Sequence, residues 1–367
     1  MKYRSYPIGP PQGWTASGNI SFQLGPTAGT ITRMGIYCQA DITTTSATWY
    51  SDAWDRLIST LSLTSAGKTL FSFTDMRTPY HMTRLFGSTL KRPTTIADSQ
   101  TNALQQFGYL FHFGVAPEVV DKNGMIQDNP FDLTAGIPAV GNGNLSLSGT
   151  WGAAAAMGSA NVTINAGDLQ VYVWTVQMDS GDTPEMYQPR TFPNWQMQSP
   201  SVSSETSIFV SNAQVPSGDF LHSVYSMTTN GSNAPRNDDV LSGLQLYDQR
   251  NGRDIITFGG LRNDIRQYKP YEIFTQEDQN GWPPSELESA LSVPTITGVA
   301  DSGLGWLDIH NYVDKRKALA QYGADLRQLA TGDLLIKFGV LDAADTALNL
   351  LYRKYQLNPD HPANAGL

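Results

Sequence analysis

The sequence predicts an all-β protein built from two tandem β-sandwiches with a few short helices. Three observations predict it. The 367 residues include 33 Gly and 21 Pro, and only 16% are charged, against about 25% in an average globular chain. Ser, Thr, Asn and Gln fill the gap, and a helical bundle, which needs Glu, Lys, Ala and Leu, is disfavoured. Short alternating or β-rich runs recur along the chain, separated by Gly-, Asn-, Pro- and Ser-rich turns. Finally, the two halves repeat one another. The length suits roughly two domains of about 150 residues each.

The repeat sets the organisation. Residues 61–77 read LSLTSAGKTLFSFTDMR, and residues 244–262 read LQLYDQRNGRDIITFGGLR. Each has Leu-x-Leu, then a turn with Gly and a base (Gly67-Lys68, Gly252-Arg253). Phe73 and Phe258 each follow that Gly by six residues, and Arg77 and Arg262 follow four residues later. A second pair is Gly167-Asp168-Leu169 and Gly332-Asp333-Leu334. A third is Gly29-Thr30-Ile31 and Gly218-Asp219-Phe220. The pairs keep their order in both halves, which predicts a duplicated domain. Gly67 to Gly167 is 100 residues and Gly252 to Gly332 is 80, so one copy is expected to carry extra loop residues.

In chain order, residues 1–25 are Pro/Gly-rich and predict an N-terminal arm. Residues 26–180 form the first sandwich, with strands over Ile31–Thr43, Leu57–Leu63, Thr69–Phe73, Phe107–Val115, Asn144–Thr150, Asn161–Ile164 and Leu169–Met178. Residues 181–205 are rich in Pro, Gln and Ser and predict a linker. The second sandwich, residues 206–341, offers Ser207–Val210, Phe220–Thr228, Leu241–Tyr247, Asp254–Phe258, Tyr271–Phe274, Thr295–Val299 and Leu334–Val340. The stretches Thr78–Asn102 and Asn263–Asn280 both follow the repeated Arg and read as equivalent connectors. Apolar spacing predicts helices over Asp308–Leu329 and Asp342–Gln356, so residues 342–367 read as a C-terminal helix and tail. These helices would pack on the protein's own sandwich or touch a neighbouring subunit.

The net charge is −9, with a pI near 5.0. Residues 1–180 carry 10 basic and 11 acidic groups, and the remainder carries 14 and 22. The basic footprint of a nucleic-acid binder is missing from both. The start, MKYRSYPIGPPQGW, has no apolar secretory core, and no run of 18 apolar residues exists, so synthesis in a cytoplasm is expected. Cys38, the single cysteine, lies in an alternating run and reads as a small buried residue.

Catalytic patterns are sought and not met. Ser65-Ala66-Gly67-Lys68-Thr69 echoes the end of a phosphate-binding loop, but Ser62 stands where that loop needs Gly and a strand follows where it needs a helix. A Gly turn between two strands accounts for it better. The histidines, His81, His112, His222, His310 and His361, never fall within five residues of one another, so no metal pattern arises. This also disfavours a duplicated cupin. His112, between Phe111 and Phe113, reads as a satisfied or outward-facing strand residue. G-x-S-x-G is absent, and Gly141-Asn142-Gly143-Asn144 is a loop. Asp238-Asp239 and Glu286/Glu288 read as solvated acids. Trp14, Trp195 and Trp282 lie in Pro/Gly-rich stretches. They would cap their own sandwiches, stack on a sugar, or anchor an interface.

A large, acidic, cysteine-poor chain with two sandwich copies and no catalytic constellation resembles the double jelly-roll major capsid proteins of tailless icosahedral viruses. That family spans the tectivirus and corticovirus kinds of membrane-containing phage, archaeal relatives, small single-stranded DNA phages and, distantly, the adenovirus hexon. The resemblance covers nearly the whole chain and rests on duplication, length and composition. It has no short motif, so it carries over no catalytic, cofactor-binding or metal-binding residue, and no enzymatic activity is expected. It implies two eight-stranded jelly rolls side by side, homotrimers of pseudo-hexagonal outline, and a tiled virion shell made from chains synthesised in a host cytoplasm. Residues 116–143, 181–205 and 275–294 would form towers. The N-terminal arm and Asn358–Leu367 would fix neighbours or meet an internal membrane, with penton or minor capsid proteins as further partners. Arg77 and Arg262 would bond loop carbonyls in matched roles. The rival reading is a secreted carbohydrate-binding or glycan-hydrolysing tandem β-sandwich; a phage spike or tail protein is a third, without the fibre-like repeats expected of it.

Overall fold

The computed structural model describes the chain except residues 1, 26–28, 48–49, 51, 86–98, 117, 121–125, 130, 140–143, 159–160, 180, 184–186, 203–210, 231–240, 260–303, 314–315, 317–318, 331, 341–345 and 366–367. Eight principal strands form the first half. They are β1 (Lys2–Gly13), β2 (Asn19–Gln23), β3 (Thr30–Thr44), β4 (Ile58–Ser65), β5 (Lys68–Phe73), β6 (Gln100–His112), β7 (Ser146–Trp151) and β8 (Val162–Gln177). Eight form the second: β9 (Trp195–Gln198), β10 (Ser211–Gln214), β11 (Phe220–Asn230), β12 (Leu241–Asp248), β13 (Arg253–Gly259), β14 (Leu304–Asp308), β15 (Leu334–Val340) and β16 (Thr346–Leu357).

The first half stacks a sheet of order β1-β8-β3-β6 on one of order β5-β4-β7-β2. The second has β9-β16-β11-β14 and β13-β12-β15-β10. Adding eight to every label of the first pair gives the second, so the halves are topological copies, each a jelly roll. The copies join edge to edge. β9 pairs in parallel with β5, Trp195 opposite Phe71, and the two sheets become one ten-stranded sheet, which also takes in Thr191–Pro193 and Ala324–Asp325.

Alternation explains the long strands. In β3, Ile36, Cys38, Ala40 and Ile42 are buried in the core, while Tyr37 points outward. Cys38 pairs with Leu169 of β8 and Phe107 of β6, all buried, as expected for a small core residue. The repeated segments are the hairpins β4–β5 and β12–β13. In the first, Ala66 (φ 48°) and Gly67 (φ 80°) form the two-residue turn, with the positive φ values of type I′ that suit strand twist. In the second, Gly252 has φ 62° and Asp248 accepts from the Asn251 amide at 3.0 Å. Gly29 and Gly218 likewise precede equivalent strands, β3 and β11.

Several expectations are corrected. Residues 1–25 are not a free arm: β1 pairs along β8, and β2 along β7. Residues 181–205 contain β9, the first strand of the second jelly roll, and are more than a linker. The Gly167 and Gly332 pair is not equivalent, since Gly167 lies within β8 while Gly332 precedes β15, the copy of β7. The 20-residue difference built on it therefore has no structural meaning. Thr78–Asn102 is not all connector, because helix α1 (Arg77–Leu85) opens it and β6 begins at Gln100.

Neither long helix is found among the described residues. From Thr346 on, the predicted helix Asp342–Gln356 is strand β16 instead. Leu348, Leu350 and Tyr352 face the second core, while Leu351 faces the first, so both faces are buried. A strand buried on both faces reads as a continuous apolar run, which periodicity cannot tell from a helix. The described part of Asp308–Leu329 holds the end of β14, the 3-10 turns Ile309–Tyr312 and Ala320–Tyr322, and the short strand Ala324–Asp325. There Leu319 has φ 69° and Gly323 φ 101°, both incompatible with a continuous helix. The strand expectations Ser207–Val210, Tyr271–Phe274 and Thr295–Val299, the connector Asn263–Asn280, the loop 275–294, and Arg262, Trp282, Asp238, Asp239, Glu286 and Glu288 lie outside the described residues.

Candidate functional site

The densest convergence of aromatic and charged side chains is the joint between the jelly rolls. Trp195, at the start of β9, is fully buried there. Its ring lies 5.6 Å from Phe113, 6.1 Å from Phe71 and 6.3 Å from Phe111, centroid to centroid. These rings belong to the first jelly roll, so Trp195 inserts the second roll's edge strand into the first roll's core. Further along the same sheet, Tyr225 of β11 pairs with Leu351 of β16, and both join that same core.

Arg353 of β16 crosses the joint. Its guanidinium carbon lies 5.7 Å from the Trp195 ring and 5.6 Å from Tyr355, and Nη2 donates to the Gly114 carbonyl at 2.8 Å. The charge is thereby held over ring faces and carbonyl oxygens. Lys354, beside it, is also buried. Its Nζ donates to Gln196 Oε1 at 3.1 Å and to the carbonyls of Pro216 (3.2 Å) and Ser217 (2.5 Å). Burial pushes its ammonium down to about 8. Burial also pushes the Tyr352 and Tyr355 hydroxyls upward and that of Tyr322 to about 12.

A second charged cluster on the first roll reaches β16. Arg56 Nε donates to Asp52 at 2.8 Å, and Arg77 reaches Asp52 at 3.4 Å and Asp75 at 3.0 Å. Burial works to lower the Arg77 pKa, but Asp75 and Asp52 together outweigh it and raise the value. Asn349 of β16 donates to the Asp75 carboxylate at 2.9 Å, which ties the cluster to the second jelly roll. Arg77 therefore bonds carboxylates rather than the loop carbonyls expected of it. Helix α1 packs here against β11 and β16.

The tail Asn358–Leu367 is not a free arm over its described part. Asn358 Nδ2 donates to Pro189 and Asn364 Nδ2 to Arg190, each at 2.8 Å. Of the flagged tryptophans, Trp14 donates from Nε1 to the Gly152 carbonyl at 3.1 Å and caps its own roll, whereas Trp195 serves the joint. His112 is buried, on the face of β6 opposite Phe111 and Phe113. His222 and His310, 88 positions apart in sequence, stack with centroids 4.9 Å apart. That pairing had no sequence signal. Among the described residues, no three His, Cys, Asp or Glu side chains gather to hold a metal ion, and no helix is long and apolar enough to cross a membrane. Gly67-Lys68 lies in a hairpin turn, which rules out the phosphate-loop reading.

Known structures share this double jelly roll. No protein-family model and no curated protein matches the sequence. The chain superposes on the STIV MCP with a TM-score of 0.70 at 15% identity, covering all of both chains. It matches the atomic structure of Sulfolobus Turreted Icosahedral Virus at 0.66 and 16% identity, over all of this chain and 94% of that one. The major capsid protein P2 from Bacteriophage PM2 matches at 0.51 and 11% identity, over 97% and 98% of the chains. The fold is therefore the double jelly roll of these capsid proteins, placed on the same architecture from end to end.

Proposed function

We propose that the chain is a major capsid protein, a structural subunit that forms homotrimeric, pseudo-hexagonal capsomers and tiles an icosahedral virion shell. One observation carries this: two topologically identical jelly rolls lie side by side in one chain, joined through a parallel β5–β9 pair and a shared aromatic core. Three such chains supply six similar units, the outline of a hexagonal tile with only three-fold symmetry. The end-to-end match with capsid proteins supports it. The buried charges and aromatics hold the two rolls together, which supports a structural role. Contacts with penton or minor capsid proteins, and with an internal membrane, belong to the same reading.

Light scattering on natively purified protein tests it. A mass of three chains, or a megadalton shell, is expected. A 40 kDa monomer at high concentration would overturn it and favour the tandem carbohydrate-active sandwich instead.

A further inference from the structure

The C-terminal tail is capped by a histidine that accepts a hydrogen bond. The chain leaves β16 at Leu357 and ends its described part in a 3-10 turn, Pro362–Asn364. His361 precedes that turn. Its backbone is extended (φ −79°, ψ 127°), and its Nδ1 accepts from the Ala363 amide at 3.1 Å. Ser, Thr, Asp or Asn usually makes this capping bond. The donor is a backbone N–H, so Nδ1 carries no proton and the proton of the neutral ring lies on Nε2.

The capped turn sets the seat of the tail. Asn364, at its end, is buried. Its Nδ2 donates to the carbonyls of Arg190 and Asn358, each at 2.8 Å, and its Oδ1 accepts from Arg190 Nε at 3.3 Å. Asn358 is anchored separately, through Nδ2 to the Pro189 carbonyl at 2.8 Å and through its own amide to the Arg190 carbonyl at 3.1 Å. The root of the tail is thus held without His361, whereas Asn364 depends on the turn that His361 caps.

A second proton on this imidazole is disfavoured. Burial, and then the charge of Arg190 on the segment before β9, push the His361 pKa down from 6.5. Asp360 adjoins the histidine in the chain but is exposed, and Asp219, on the loop before β11, is engaged by the Leu357 amide at 2.7 Å.

We propose that His361 makes the tail an acid-released latch. Protonation at Nδ1 turns the acceptor into a donor that confronts the Ala363 amide beside the Arg190 guanidinium. The turn then loses its cap and Asn364 leaves its seat, while Asn358 stays. By linkage, the undocked tail takes up its proton near pH 6.5 and the docked tail only below that value. Docking is therefore fully present above about pH 7.5 and weakens as the pH falls through 6.5. The latch belongs to the single chain and goes beyond the capsid reading: a tail docked at neutral pH becomes a free arm in acid.

A nitroxide label on Ala365→Cys tests it. Ala365 is exposed, and Cys38 is buried and escapes labelling. The label should be immobile at pH 7.5, and its mobile fraction should grow roughly five- to tenfold by pH 5, as expected for loss of a capping bond. His361→Asn supplies a cap that does not titrate, and its label should stay immobile at both pH values. A wild-type label equally mobile, or equally immobile, at pH 7.5 and pH 5 overturns the proposal. So does a His361→Asn variant that follows the wild type. None of these outcomes touches the capsid reading, because each reports the position of the tail alone.

Discussion

Replacing Trp195 by Ala tests the joint directly. The indole is fully buried and lies within about 6 Å of three Phe rings of the other jelly roll. Truncating a buried Trp costs roughly 3–5 kcal/mol through lost transfer energy and the remaining cavity. Loss of the Arg353 ring contact, at 5.7 Å, adds about 0.5–2 kcal/mol. Arg353 is not orphaned, because its 2.8 Å bond to the Gly114 carbonyl survives, so the total should stay near 5 kcal/mol. For units of this size that corresponds to a fall on the order of 10 °C in Tm. Urea denaturation, with calorimetry as a check, reads it, and Trp195→Phe should recover most of the loss by refilling the site. A loss under about 1 kcal/mol for Trp195→Ala would refute the reasoning, since it would mean the two rolls hold together without this anchor.

Two further predictions concern charge. Asp52→Asn leaves Arg56 and Arg77 facing a neutral amide in a buried site, which should cost about 3–5 kcal/mol in urea denaturation. Breaking the exposed Lys2–Asp179 pair with Lys2→Ala should cost about 0–1 kcal/mol; equal effects from the two would refute the weight placed on burial. Lys354 sets a pH dependence. Its ammonium is pushed from 10.5 to about 8 in the folded chain, so between those values the unfolded state binds more protons and stability rises with pH. The buried tyrosines act the other way above about pH 10, where unfolded tyrosines ionise first. The comparison of wild type with Lys354→Met is therefore made between pH 8 and 10, where wild type should gain on the order of 2 kcal/mol relative to the variant. Parallel stability curves would refute it.

The β-sandwich class and most strands of the first roll were legible because each has one buried and one wet face, giving the alternation seen along β3. β16 was not, because the joint buries its second face and erases the period. A different cause hid β1 and β9. β1 carries Pro7, Pro10 and Pro11, and β9 lies between Pro193 and Pro200. Proline is at home in edge strands, where its missing N–H costs no ladder bond, but in sequence it reads as an arm or a linker. The partners of Arg77 were also illegible. Asp75 is two residues away, but Asp52 is brought in by the turn at Ala53–Arg56, whose position depends on packing between sheets. The His222 and His310 stack is likewise a product of tertiary structure alone.

Of the three repeated pairs, the longest is the hairpin β4–β5 with its copy β12–β13, sharing the Leu-x-Leu entry, the positive-φ Gly and the six-residue step to Phe. Its second strand is the one that presents an edge to the neighbouring roll: β5 does so to β9 within the chain. A hairpin serving only its own sandwich needs inward apolar residues and a tolerable turn, and many sequences supply those. A hairpin whose outer edge must also meet a defined partner has its turn geometry and register constrained from both sides.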